Sequence, residues 1–177
     1  MQDKSSLPQS YDRTLIVLHW TMALLIIGLY ALGLSIDLFT ARPFAVNLHA
    51  AIGVLALVLL VARIGWRLTH PKPPYPVGMR PHFAAAAAVG HGLAYLLMAM
   101  VPIVGLSAFF LRGRSLDFGV FQIPTPFVAD RDLAHETADI HSYLAHALIA
   151  LVVGHILVTL YHQFIRRDNL LARMWPR

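Results

Sequence analysis

The chain has 177 residues, of which 58% are hydrophobic and only 13% charged, far below the ~25% charged content of a soluble domain. This disfavours disorder, a coiled coil and an ordinary soluble enzyme, and the length bounds the chain to one domain. The lack of cysteine excludes disulfides, thiolate-bound metal centres and a Cys nucleophile. The net charge of +5 raises the question of nucleic acid, which the positions of the basic residues answer below.

Residues 1–13 read as a short polar tail. Four stretches then lack Asp, Glu, Lys and Arg: Thr14 to Ile36, Pro43 to Ala62, Pro81 to Leu111 and Ile140 to Phe164, with 23, 20, 31 and 25 residues. About 20 residues cross the hydrocarbon core as a helix. The runs predict an all-α integral membrane protein, a four-transmembrane-helix bundle forming one domain over 1–177, with helices at approximately 14–38, 43–68, 81–111 and 138–166. A soluble bundle would need polar outer faces, which these runs lack. The first run is too long for a signal-peptide core and shows no small-residue cleavage site, so it is expected to stay.

The connection Asp37 to Arg42 is short. His70 to Pro81 carries five prolines and reads as a stiff surface loop. Pro102 should kink the third helix. The last connection, Arg112 to Asp139, has 28 residues and is long enough for a small cap with its own helical turn.

Lys4, Arg13, Arg63, Arg67, Lys72, Arg80, Arg166, Arg167, Arg173 and Arg177 fall on one side of such a bundle, against Arg42, Arg112, Arg114 and Arg131 on the other. Ten against four places both termini in the cytoplasm. The positive charge is thereby a topology and headgroup signal, and no nucleic-acid partner is expected.

His19, His49, His91, His141, His146 and His155 lie within the apolar runs, where ionisable groups are expensive and point to function. His19 lies near the cytoplasmic end of helix one and His49 near the outer end of helix two. His141 and His155 are fourteen residues apart, ~21 Å along one helix and on one face. The depths give two pairs, His49 with His141 outside and His19 with His155 inside. Facing imidazoles are what six-coordinate haem b needs, and two haems stacked this way make a transmembrane electron path. Zinc would want three or four ligands at one point. His146 is turned about 140° from His141 and reads as structural. His91 reads as a polar packing residue, with no unassigned partner at its depth.

YDRTLIVLHW (Tyr11 to Trp20), LHAAIG (Leu48 to Gly53), VARIGWRLTHPKPP (Val61 to Pro74), GHGLAYLLMAMVPIVGL (Gly90 to Leu106) and HILVTLYHQFIRRDNLLARMWP (His155 to Pro176) resemble the bacterial cytochrome b561 family, and among it the superoxide-oxidising members. The likeness covers nearly the whole chain in order. The family's four axial histidines fall on His19, His49, His141 and His155, the four already reached by depth. The resemblance implies an inner-membrane protein with two haems b that oxidises periplasmic superoxide and reduces ubiquinone.

Arg112 and Arg114, with Arg131 behind them, are the candidate approach for the superoxide anion. The same loop carries five acidic residues against these three arginines, which weakens steering unless folding separates the signs. Arg13, Arg67 and Arg166 are placed to pair with haem propionates. His162, seven residues past His155, could hydrogen-bond a quinone carbonyl and deliver a proton. Two other readings compete: a haem b anchor subunit for a separate dehydrogenase or hydrogenase, and a divalent-metal transporter using the histidines as a relay. The second suffers from the lack of carboxylates in the apolar runs. A homodimer stays open.

Overall fold

Four long helices and a small hairpin at the end of the bundle away from Tyr11 and Met174, labelled the outer end, make up the computed structural model, which describes residues 10–70, 73 and 81–175. Most of the proline-rich connection after His70, with its expected stiffness, lies outside the described residues.

Helix α1 spans Arg13–Ser35. Asp12 caps it, its carboxylate accepting the Leu15 N–H at 3.0 Å, which satisfies a donor that a helix start leaves free. The same oxygen accepts Trp66 Nε1–H at 2.8 Å and so ties the start of α1 to the end of the next helix. A short turn at Ile36–Leu38 and an Arg42–Asp37 ion pair of 2.9 Å make the first connection. Helix α2 spans Arg42–Thr69, with a proline in its first turn, where no N–H is needed. Helix α3, Pro81–Leu111, continues through Pro102.

Helix α4 spans Arg131–Leu160 and begins seven residues before the predicted 138. The hydrophobic run ends at the membrane, but the helix does not have to. Asp130 caps it by accepting the Leu133 N–H at 3.0 Å, and Asp132 in the first turn suits the positive end of the helix dipole. The outer connection is correspondingly shorter and holds a β-hairpin where a helical turn was expected. Strand β1, Leu116–Asp117, pairs antiparallel with β2, Gln122–Ile123. Asn47 of α2 grips β1 with two hydrogen bonds, donating to the Asp117 carbonyl at 2.7 Å and accepting its N–H at 3.0 Å. Leu116 is fully buried and packs with Phe109 and Phe110. The hairpin thus seals the outer end of the bundle.

Each of the four helices is long and apolar enough to cross a membrane, and Leu24, Val58, Val89 and Leu157 stand exposed on their outer faces. That is the surface of a helical bundle in lipid. Helix α3 packs closely along α4, α1 along α2, and α2 along α3, while α1 only brushes α4. At the inner end, α4 continues as a π-helical turn, Tyr161–Arg166, and a 3₁₀ turn, Leu170–Arg173. This tail folds back on α1: the Tyr11 N–H donates to the Arg173 carbonyl at 3.0 Å and Trp20 Nε1–H to that of Met174 at 2.7 Å.

Candidate haem centre

The loose contact between α1 and α4 leaves an interior that histidines bridge. His49 of α2 and His141 of α4 face each other with ring centroids 6.1 Å apart. Toward the opposite end, His19 of α1 and His155 of α4 stand 6.3 Å apart. A metal–imidazole bond is about 2.0 Å and a ring nitrogen lies about 1.1 Å from its centroid, so two imidazoles on one iron sit about 6 Å apart. Both pairs have that spacing. They are separated by the fourteen residues from His141 to His155 along unbroken helix, ~21 Å. Among the described residues no three His, Cys, Asp or Glu side chains converge on one point.

The outer pair has a built seat. A cavity of about 80 Å³ lies at it, walled by His49, His141, Tyr30, Met98 and Pro102 among others. His141 Nδ1–H donates to the Val101 carbonyl at 2.9 Å, which fixes the tautomer and leaves Nε2 for a metal. Its ring lies against Gly105, where a Cβ would stand 2.6 Å from Nδ1. The Pro102-x-x-Gly105 motif therefore supplies both a carbonyl partner at its edge and the space for the imidazole. His49 rests on Gly33 in the same manner, a Cβ there falling 3.2 Å from Cε1. The Nδ1 atom of His49 is buried without a hydrogen-bond partner. A larger apolar groove of about 500 Å³ runs between α1 and α2 past Thr21, Gly28 and Ile52; none of its lining side chains can bind iron or titrate, so size alone does not mark the site.

The inner pair is differently clothed. Arg63 of α2 is buried, at 8% exposure, and its Nη2 donates to His19 Nδ1 at 2.9 Å. Its guanidinium also lies over the Tyr95 ring, 5.7 Å from the centroid. The His91 ring stands 5.6 Å from that of His155, and its Nδ1–H donates to the Ala87 carbonyl. The sequence leaves His91 no unassigned partner at its depth. Its neighbour is His155, because a helix rising from the inner side brings residue 91 to the same layer as residue 155. His146 donates to the Ser142 carbonyl and meets Tyr30 edge to face at 5.6 Å, turned away from the His49–His141 pair.

His162 is buried at 9% exposure, with its Nδ1 2.6 Å from Asp168 Oδ2. A carboxylate only accepts, so the proton lies on Nδ1 and Nε2 is the nitrogen left to act. The π turn, then Arg167 and Asn169 in left-handed conformation at φ 55 each, fold Asp168 back onto that ring. Of the arginines expected near propionates, Arg13 is exposed at the start of α1, Arg67 is half-buried in the last turn of α2, and Arg166 is exposed, 5.6 Å from the Phe83 ring. At the hairpin end, Arg112 and Arg131 are exposed and Arg114 is half-buried where the hairpin begins.

Arg63, Asp168, Gly33 and Gly105 were not among the expected site residues. Arg63 had a legible signal: it follows His49 by fourteen residues, the spacing that puts His141 and His155 on one face. Asp168 had none, since an α-helical count does not foresee a π turn.

Four apolar helices with histidine pairs at two depths define a membrane-embedded b-type cytochrome. The chain matches the family described as prokaryotic cytochrome b561 over residues 10–177. It is 33% identical to a probable superoxide oxidase CybB of Yersinia pestis, over 96% of this chain and 97% of that protein. It is 31% identical to cytochrome b561 homolog 2 of Escherichia coli K12, over 94% and 92%. A cytochrome b562 of Cereibacter sphaeroides is 30% identical over 93% and 94%. The chain belongs to the prokaryotic cytochrome b561 family, whose members are membrane haem b proteins of electron transfer.

Proposed function

We propose that the chain is a superoxide:quinone oxidoreductase of the bacterial inner membrane, with both termini in the cytoplasm, two haems b, superoxide as donor and ubiquinone as acceptor. The observation that carries this reading is the two histidine pairs, each at iron-bridging spacing and ~21 Å apart along α4. The match to a probable superoxide oxidase supports the donor. Two superoxide ions give up one electron each and leave as dioxygen; ubiquinone takes two electrons and two protons to become ubiquinol.

Haem b, when bound, supplies a one-electron couple at iron. His49 and His141 would hold the outer group, and His19 and His155 the inner one. The two histidines of each pair would hold one iron, which suits outer-sphere transfer. Arg112 and Arg114 put positive charge at the outer mouth, where an anionic donor arrives. Arg13, Arg67 and Arg166 would pair with haem propionates at the inner end. In its doubly protonated form His162 presents Nε2–H to a quinone oxygen and hands over that proton there, while Asp168 keeps the Nδ1 proton in place.

The test is haem content and spectrum of the purified chain, followed by superoxide-driven reduction of ubiquinone-1. Two low-spin haems b per chain, insensitive to carbon monoxide, and a superoxide-dependent rate are expected. No haem would overturn the reading. Haem without a superoxide-dependent rate would remove the donor and leave the electron path.

A further inference from the structure

The two histidine pairs have opposite surroundings. At the outer pair, a backbone carbonyl receives the His141 Nδ1–H, which enriches the ring in electron density, and glycines 33 and 105 are the close neighbours. At the inner pair, the neighbour of His19 is a guanidinium at 2.9 Å. Arginine has no acceptor to offer, so it cannot enrich the ring as a carbonyl does, and with Nε2 on iron and the proton on Nδ1 of His19 it would turn off that nitrogen while its charge stays in the same layer over the Tyr95 ring. What it adds is a full positive charge. Arg63 is the one lysine, arginine or carboxylate residue among those described that is buried, so solvent and salt screen it little.

A positive charge beside a redox centre favours the state holding the extra electron, and a carbonyl acceptor on an axial ligand favours the state lacking it. The two effects act in the same sense. We propose that Arg63 gives the bundle its electrical direction: it would raise the electron affinity of a haem held by the inner histidine pair above that of one held by the outer pair, making transfer from the outer to the inner end downhill. One electron leaves the outer site and arrives at the inner one, with no further reactant. The inference rests on the histidine-pair reading of the haem sites.

The test is potentiometric titration of the purified haem-loaded protein, comparing wild type with Arg63→Gln, Arg63→Met and Arg63→Lys. The inner component is identified as the one that His19→Ala removes. In the Gln and Met variants its reduction equilibrium constant should fall about tenfold, equivalent to about 59 mV for one electron. The outer component should move less, and Lys should restore most of the loss. An unmoved inner component, or a larger shift in the outer one, would overturn the proposal. Loss of the inner haem in both Gln and Met variants would also overturn it, by making Arg63 a part of the binding site. If His19→Ala and His49→Ala removed the same component, the pairing itself would fail, a result separate from the others.

Discussion

Replacing Gly105 by alanine tests the seat of His141 at atomic scale. A Cβ at residue 105 would lie 2.6 Å from Nδ1 and 2.7 Å from Cε1 of that ring. Ordinary contact needs about 3.4 Å or more between such atoms, so the imidazole must retreat by nearly 1 Å. It cannot do so freely, because Nδ1 is bonded to the Val101 carbonyl and Nε2 would be on iron. A metal site tolerates distance errors of only about 0.2 Å. Disturbing a partner of a metal-binding histidine lowers metal affinity by about 10–100-fold, and the loss here should reach the upper part of that range. Gly33→Ala should be milder, since its Cβ would stand 3.2 Å from His49 Cε1 and a shift of a few tenths of an ångström relieves it. Gly53→Ala, with nothing within 4 Å, is the control. Haem per chain, measured as the pyridine haemochrome with low-spin resonance spectra, should fall toward one in Gly105→Ala and stay near two in Gly53→Ala. Two intact low-spin haems in Gly105→Ala would refute the placement of His141 as a ligand.

Other expectations are as direct. His49→Ala and His141→Ala should remove one redox component, and His19→Ala and His155→Ala the other, in potentiometric titration; a shared component would break the pairing. Arg112→Ala with Arg114→Ala should lower the superoxide rate severalfold and flatten its salt dependence in a stopped-flow series, whereas an unchanged salt profile would remove both from the donor side. Asp168→Asn should slow reoxidation of the prereduced protein by ubiquinone-1 by at least about tenfold while leaving haem content and spectra unchanged. Burial pushes the Asp12 carboxyl upward, but hydrogen bonds from the Leu15 N–H and Trp66 and the charge of His70 outweigh it and hold it below its ordinary 3.8. A lowered folded value contributes stability above pH 3.8 that is lost as pH falls through the folded value. Asp12→Ala should accordingly lose about 1–2 kcal/mol at neutral pH, read as thermal melting in detergent, with a difference that narrows below pH 4.

The spans were legible because uncharged runs of membrane length leave a helix little alternative, and the histidine pairs because fourteen residues return a helix to nearly the same face. The start of α4 was not: a polar segment under an Asp130 cap is helical for reasons of capping, while the membrane count sees only hydropathy. The hairpin was hidden for the same reason. Its anchor is a side chain seventy residues away, Asn47 on the Asp117 backbone. The burial of His162 depends on the π turn and two left-handed residues, which a count of 3.6 residues per turn does not anticipate.

The fourteen-residue spacing carries further than one helix. It relates His19 to Gly33 in α1, His49 to Arg63 in α2, His91 to Gly105 in α3 and His141 to His155 in α4. Each helix thereby presents one residue to each layer from a single face. The outer layer is Gly33, His49, Gly105 and His141; the inner is His19, Arg63, His91 and His155. In the outer layer each histidine lies against a glycine of the neighbouring helix. In the inner layer the equivalent neighbours are Arg63 beside His19 and His91 beside His155. Helix α3 thus leaves room for an imidazole outside, at Gly105, and fills the same face inside with His91, while α2 offers His49 outside and Arg63 inside. Chemical difference between the two depths is thus written into the same four faces that create the pairs. Exchanging a single member, Gly105 outside or Arg63 inside, should disturb one layer and spare the other, because ~21 Å of helix separates them.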